Sequence, residues 1–224
     1  MCGRFVFYSS NKKIEEKFGI RSSLKSEPRY NISPTQYVAA IREENNKKRE
    51  VATLRWGLIP SWSKNIAIGN HMFNARAETI LEKPSFRSAF MNRRCIVLAD
   101  GFYEWHKSGN KRIPYFISLV SSEPFALAAI WEKWTDVKTG ETIQTTSVLT
   151  MASNDFMLRL HHRMPIIIES NAIGDWLTGK NTFFKNAMQR IPKLHAWQVT
   201  NEVNNSRNQG KFLINPVEKD HQMI

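Results

Sequence analysis

The middle of the chain leaves little choice of fold. Cys95-Ile96-Val97-Leu98-Ala99 is a continuous apolar run of strand length, and residues 113–120, 125–131 and 142–151 follow as three more strand candidates. Ser121-Ser122-Glu123-Pro124 and Lys138-Thr139-Gly140 supply the turns between them. Strands this closely spaced must build the core as a sheet. The flanks add shorter elements: strands over 3–8, 37–42, 50–56, 166–168 and 194–200, a turn-rich connection over 30–35, and a polar hairpin tip over 43–49. Ser10 can cap a helix that puts Ile14 and Phe18 on one face before Gly19. Further short helices are expected over 84–90, from Ser153 through Leu160, over 170–177 and over 183–190, while 201–216 reads as an amide-rich loop that docks by its apolar end. No repeat, linker or low-complexity tract divides the chain, which gives one α+β domain over 1–224, with its core in 2–216 and a tail over 217–224.

Two cysteines, Cys2 and Cys95, provide neither a disulfide framework nor a zinc cluster, and free thiols fit a reducing cytosol. The N-terminus lacks a charged-then-apolar leader, and no apolar stretch reaches the roughly 18–20 residues of a membrane span. A cytoplasmic protein is expected, associated with the nucleoid if bacterial, with no membrane partner. Thirty-two Lys and Arg against twenty Asp and Glu leave a formal charge of +12. That balance favours a polyanion, and nucleic acid is the leading candidate because phosphate neutralisation supplies most non-specific affinity.

Cys2 carries the sharpest chemistry. Once Met1 is removed it presents an α-amine and a thiol on adjacent carbons, with ordinary pKa values of about 7.7–8.0 and 8.5. Such a pair converts an aldehyde first to a Schiff base and then to a five-membered thiazolidine. The bland alternative is a small hydrophobe under a first strand. Four other stretches bear on the choice. Arg55-Trp56-Gly57-Leu58-Ile59-Pro60-Ser61-Trp62 could form an aromatic platform or wedge for bases, or fold back onto the core. Asn74 and Arg76, two apart on an extended backbone, would point the same way and could grip one phosphate or sugar. Glu104 lies between aromatics just beyond a buried strand, where desolvation can raise a carboxyl pKa; alternatively it pairs with an Arg. His161 and His162 follow a helix and can act near neutral pH, but no third or fourth ligand accompanies them, so neither metal nor cofactor is expected.

Together these stretches resemble the SOS-response-associated peptidase (SRAP) family. The resemblance rests on Met1-Cys2-Gly3-Arg4-Phe5, Tyr30-Asn31-Ile32-Ser33-Pro34, Arg55-Trp56-Gly57-Leu58-Ile59-Pro60, Asn74-Ala75-Arg76-Ala77-Glu78-Thr79, Asp100-Gly101-Phe102-Tyr103-Glu104-Trp105, His161-His162-Arg163-Met164-Pro165 and Glu202-Val203-Asn204-Asn205, in that order. It implies a curved, barrel-like sheet around a DNA groove and recognition of abasic sites in single-stranded DNA, by a chain expected to be a monomer. It further implies covalent crosslinking through Cys2 to the ring-opened sugar, with strand cleavage by β-elimination as a competing outcome. Asn74 would orient the adduct, Glu104 would relay protons, and His161 would be the acid that opens the sugar. Arg4 and Arg76 would hold flanking phosphates, Trp56, Trp62 and Trp105 would line the DNA path, and Pro34 would border the pocket. Two other functions stay open: a thiol peptidase with Cys2 as nucleophile, able at least to remove its own Met1, and a non-covalent single-strand-binding module.

Overall fold

The computed structural model describes residues 2–21, 27–43, 48–179 and 192–217. The apolar runs of the middle region form β6 (Arg94–Ala99), β8 (Lys111–Leu119), β9 (Phe125–Thr135) and β10 (Thr142–Ala152), all at or near the expected boundaries. β6 is buried at every residue. A strand without an exposed face needs cover on both sides, and β6 has it: β3 (Tyr37–Glu43) and β9 pair with its edges, while the indole of Trp176 donates to the Cys95 carbonyl at 2.7 Å from α4 (Ile173–Leu177).

Closure of the sheet is the feature that local pattern could not supply. β4 (Arg49–Trp56) pairs antiparallel with β3, β3 with β6, β6 with β9, and β9 with β10; β10 then returns to β4 in parallel, through Thr145 opposite Arg55 and Thr146 opposite Trp56. The result is a closed five-stranded mixed barrel. β10 also carries β5 (Asn74–Arg76) in parallel and β11 (Arg163–Pro165) antiparallel, and β12 (Ile167–Ile168) adds to β9.

Against the barrel lies a second sheet in the order β13-β8-β7-β1-β2, with β1 (Phe5–Phe7), β2 (Arg29–Ile32), β7 (Gly101–Ser108) and β13 (Leu194–Gln198). The N-terminal strand is therefore internal to the sheet, held between β2 and β7 with Phe5 opposite Phe102 and Val6 opposite Gly101. Gly101 is required by packing: a Cβ there would fall 2.2 Å from the Phe116 ring and 2.8 Å from the Ile117 carbonyl. Asp100 fixes the same corner, since its carboxylate accepts from the backbone N–H groups of Tyr8 at 2.6 Å and Ser9 at 2.9 Å and from the Ser9 hydroxyl. This is an α+β single domain.

Helices are short. α1 (Asn11–Phe18) begins at Ser10 and ends at Gly19 in the left-handed conformation, with Ile14 and Phe18 buried as the spacing predicts. α2 (Pro84–Asn92) takes Pro84 in its first turn. Three elements differ from expectation. Residues 29–32 form strand β2, because β1 offers them an open edge. The stretch after Asp100 continues as strand β7 through Ser108, which mixed aromatic and charged residues disguised. α3 spans only Asp155–Leu158, because Asn154 rather than Ser153 caps it, and the Ser153 hydroxyl donates instead to the His161 carbonyl at 2.7 Å. Past Val199, the chain makes two short 3-10 turns and buries Val203 and Leu213 completely. The expected helix over 183–190, most of the hairpin tip and nearly all of the tail over 217–224 lie outside the described residues.

Candidate functional site

Cys2 reaches its place through strand pairing. The Tyr103 N–H donates to the Arg4 carbonyl at 2.9 Å, so the chain before β1 continues antiparallel along β7 and brings Cys2 into the neighbourhood of Glu104. From the other side, β5 rides on β10 with Asn74 opposite Val148, and the Asn74 amide donates to the Cys2 carbonyl at 2.7 Å. The remaining acceptor of that amide, Asn74 Oδ1, is buried and has no partner among the described residues. An unsatisfied buried acceptor costs about 1–3 kcal/mol, which makes it a natural seat for a donor that arrives with the reaction.

Electrostatics link Cys2 to Glu104. Both are buried. Burial pushes the Cys2 thiol well above its ordinary range, and the Glu104 charge pushes it in the same direction. Burial also lifts Glu104 to about 7. A carboxyl at that value exchanges protons near neutrality, whereas the thiol remains protonated until a base takes its proton.

His161 follows α3 at the entry to β11, which is held on β10 through Ala152 opposite Arg163. Its Nδ1 accepts from the Arg163 backbone N–H at 2.9 Å, which leaves Nε2 to carry the ring proton in the neutral form, and the Arg163 carbonyl lies 3.1 Å from the same nitrogen. The rings of His161 and His162 stack with centroids 4.3 Å apart. Burial holds His161 below the ordinary histidine pKa. Glu104 and His161 both line one open cleft of about 550 Å³. The structure thus links Asn74 to Cys2 by a hydrogen bond, Cys2 to Glu104 by charge, and Glu104 to His161 through a shared cleft.

The other expected site residues divide. Trp56 is fully buried: it packs edge-on to Phe5 at 4.9 Å and to Phe73 at 5.9 Å, and its indole donates to the Phe73 carbonyl at 2.8 Å. It is a core residue and offers no face to a base, which corrects the expectation of a stacking role. Trp62 is 61% exposed, on a loop anchored by the Trp134 indole at the Ser63 carbonyl. Arg76 is exposed and Pro34 half-buried, in a turn whose Thr35 N–H donates to the Trp56 carbonyl. Trp105 is half-buried, lines the cleft, and donates its indole N–H to Asn204 Oδ1 at 2.7 Å.

Arg4 is braced rather than free. Its Nη1 donates to Asn31 Oδ1 at 2.6 Å and to the Val203 carbonyl at 2.7 Å, and the guanidinium lies 5.7 Å from the Trp105 ring centre. Asn31 in turn donates to the Asn205 and Asn208 carbonyls. The motif residues Asn31 and Val203–Asn205 are thereby explained as a brace that holds the N-terminal segment, a role their sequence positions alone do not disclose.

A second support escaped the sequence reading. Arg163 donates through both terminal nitrogens to Glu78, at 2.6 and 2.9 Å, and also to the Thr150 carbonyl at 2.7 Å. Glu78 belongs to the turn after β5 and Arg163 opens β11, so this bidentate pair ties the strand of Asn74 to the strand beside His161. Among the described residues, no three His, Cys, Asp or Glu side chains converge as metal ligands, and no helix is long and apolar enough to cross a membrane.

Comparison with known proteins places the chain in a family. Residues 1–206 match the family model described as SOS response associated peptidase (SRAP). The abasic site processing protein YoqW of Bacillus subtilis is 40% identical over 223 residues, which cover 96% of this chain and 99% of that protein. The abasic site processing protein HMCES of Xenopus tropicalis is 30% identical over 216 residues, covering 82% of this chain and 64% of its own length. A crystal structure of a protein from Bacteroides thetaiotaomicron superposes with a TM-score of 0.86 at 27% identity, over 97% of this chain and all of that one.

Proposed function

The chain belongs to the SOS response associated peptidase family, and from that premise we propose that it processes abasic sites in single-stranded DNA by forming a covalent adduct through Cys2. One observation carries the proposal: the Asn74 amide holds the Cys2 carbonyl and the Glu104 charge reaches the buried Cys2 thiol, while Glu104 in turn lines the cleft that His161 shares. The names of the relatives, abasic site processing proteins, supply the substrate class.

The order of steps follows from the pKa directions. With the thiol held protonated, the α-amine freed by loss of Met1 is the first nucleophile. It attacks the aldehyde carbon of the ring-opened sugar, and the carbonyl oxygen takes a proton. Loss of water from the resulting carbinolamine needs an acid, and both the Glu104 carboxyl and protonated His161 can serve. The thiol sulfur then adds to the iminium carbon while its proton passes to the Glu104 carboxylate. The products are a thiazolidine and one water. Asn74 Oδ1 is available to accept from the new amine or a sugar hydroxyl. Glu104, at about 7, suits both donation and acceptance at neutral pH.

The iminium also acidifies the adjacent sugar carbon, so β-elimination competes until the ring closes. Cys2→Ser should leave DNA binding intact and abolish the heat-stable adduct on an abasic single strand. A full-strength adduct in that variant would overturn the proposal. Intact-mass measurement of the purified chain reports whether Met1 is gone, and a fluorescent peptide panel assayed beside the abasic oligonucleotide separates crosslinking from general peptidase activity.

A further inference from the structure

The cleft that ends at Glu104 and His161 continues over the hairpin of β7 and β8, and its wall has a composition the catalytic steps do not require. Lys107 and Arg112 stand directly opposite each other across the two strands, and Arg159 follows α3 on the far side. All three are exposed, and none makes a side-chain ion pair or hydrogen bond among the described residues. Two arginines near this chemistry are consumed, Arg4 by Asn31 and Val203 and Arg163 by Glu78, while Arg76 stays exposed on β5. Among the described residues, the only carboxylate in the cleft wall is Glu104.

The placement of Lys107 against Arg112 is unfavourable in the free protein. Like charges facing each other in a non-terminal cross-strand pair destabilise a sheet, and an anion between them reverses the sign of that interaction. Apolar surface lies beside the cations: Leu158 is 59% exposed and Trp105 half-buried in the same cleft. Cations spaced along a groove with stackable or apolar surface between them match a single nucleic-acid strand, whose phosphates and base faces alternate. At about 550 Å³ the cleft is within the range that encloses a small ligand, about 300–1,000 Å³.

We propose that Lys107, Arg112 and Arg159 form a phosphate track for the nucleotides on one side of the abasic site, so that the hairpin of β7 and β8 sets which flank of the strand the protein grips. This inference rests on the abasic-site reading above and assigns that site a strand-binding surface. Lys107 and Arg112 share the load as a pair, and Arg159 closes the track from the opposite wall. None of them touches the reacting atoms.

The experiment measures binding by fluorescence anisotropy on a single-stranded oligonucleotide containing a tetrahydrofuran abasic analogue, which has no aldehyde and so isolates binding from adduct formation. Each phosphate contact removed should flatten the dependence of log affinity on log salt by about 0.7. Lys107→Glu should therefore bind several-fold more weakly with a flatter slope, while its melting temperature rises by about 1–3 °C because it now faces Arg112 with opposite charge. Arg159→Gln should flatten the slope without the rise. At saturating DNA the rate of adduct formation on a true abasic strand should stay within about twofold of the parent chain. Shortening the oligonucleotide on one side of the lesion should remove the difference between variant and parent, and shortening it on the other should not. Unchanged slopes in both variants, or equal sensitivity to shortening on either side, overturn the track. Absence of an adduct with the unaltered chain on an abasic strand would instead overturn the abasic-site reading, while the anisotropy series still tests the hairpin.

Discussion

On the barrel strand β10, Thr145 and Thr146 are wholly buried, and their hydroxyls return to carbonyls of β9: Thr145 to Glu132 at 3.4 Å and Thr146 to Ile130 at 2.9 Å. Arg93 reaches Glu132 at 2.6 Å, and the Trp134 indole reaches the Ser63 carbonyl. At the Cys2 end the balance is different. Glu104 is buried with its pKa lifted to about 7, the Cys2 thiol is held protonated, and Asn74 Oδ1 has no partner among the described residues. The barrel also holds unpaired atoms, since Ser147 Oγ of β10 and Arg94 Nη1 of β6 lack a partner among the described residues; what sets the site apart is that its unpaired acceptor stands beside two titratable groups poised for a reactant. Strain of this kind is tolerable because the elements bearing it are hung on strands the barrel already fixes: β5 and β11 both pair with β10.

The largest effect should come from breaking the barrel's side of that contrast. Trp56 fills the space between β4, Phe5 and Phe73, and Trp56→Ala should cost about 3–5 kcal/mol in chemical denaturation. Trp56→Phe should be milder and, because the residue is internal, should bind abasic-analogue DNA within about twofold of the parent. A large and selective loss of DNA affinity in the Phe variant would return Trp56 to the binding surface.

The site's side of the contrast has the opposite sign. Glu104 titrates at about 7 in the folded chain and near 4.3 when unfolded, so the folded state binds the extra proton between those values. Stability is therefore full below the unfolded value and falls as pH rises through about 7, by about 3 kcal/mol in all. Glu104→Gln should remove that dependence: denaturation at pH 8 should show the variant more stable than the parent, and at pH 4 the two should converge. The same substitution should slow adduct formation at least tenfold, because the thiol loses its proton acceptor. A variant less stable at pH 8 would mean that Glu104 is held by its partners as a structural anion.

How much of this was readable in advance depends on the range of the interaction. β6, β9 and β10 announce themselves as apolar runs, and α1 by Ser10, Ile14, Phe18 and Gly19, because each is set by neighbours a few residues away. The parallel return of β10 to β4 joins Thr146 to Trp56 across the barrel, and no local periodicity encodes it. The site divides in the same way. Residue types marked Cys2, Glu104 and His161 as chemically capable, and the family resemblance supplied their association. The bracing of Arg4 by Asn31 and Val203 depends on a contact between the first and last thirds of the chain. The residues left Trp56 open between platform and core, because an aromatic followed by Gly57 and Pro60 looks the same whether the loop opens outward or its first residue ends a buried strand, and its place on the DNA path came from the resemblance alone.

The smallest effect on stability should fall on the link between the two regions. Arg163 is mostly buried and its pair with Glu78 is bidentate, yet Glu78 keeps 40% of its side-chain exposure, so solvent screens the pair and its loss should cost only about 1 kcal/mol. Its effect on chemistry should be larger than that figure suggests. Glu78→Gln weakens the tie between the turn after Asn74 and the strand after His161, and a misplacement of about 1 Å between reacting groups can cost about a hundredfold in rate. Adduct formation at saturating DNA should therefore slow by about tenfold while affinity for the abasic analogue stays within twofold, since neither residue of the pair is asked to hold phosphate. Glu78→Asp, which keeps the charge on a shorter arm, should recover part of the rate. Were affinity lost instead, with the rate at saturation unchanged, the pair would belong to the DNA surface and the boundary between barrel and site would have to be drawn on the other side of β11.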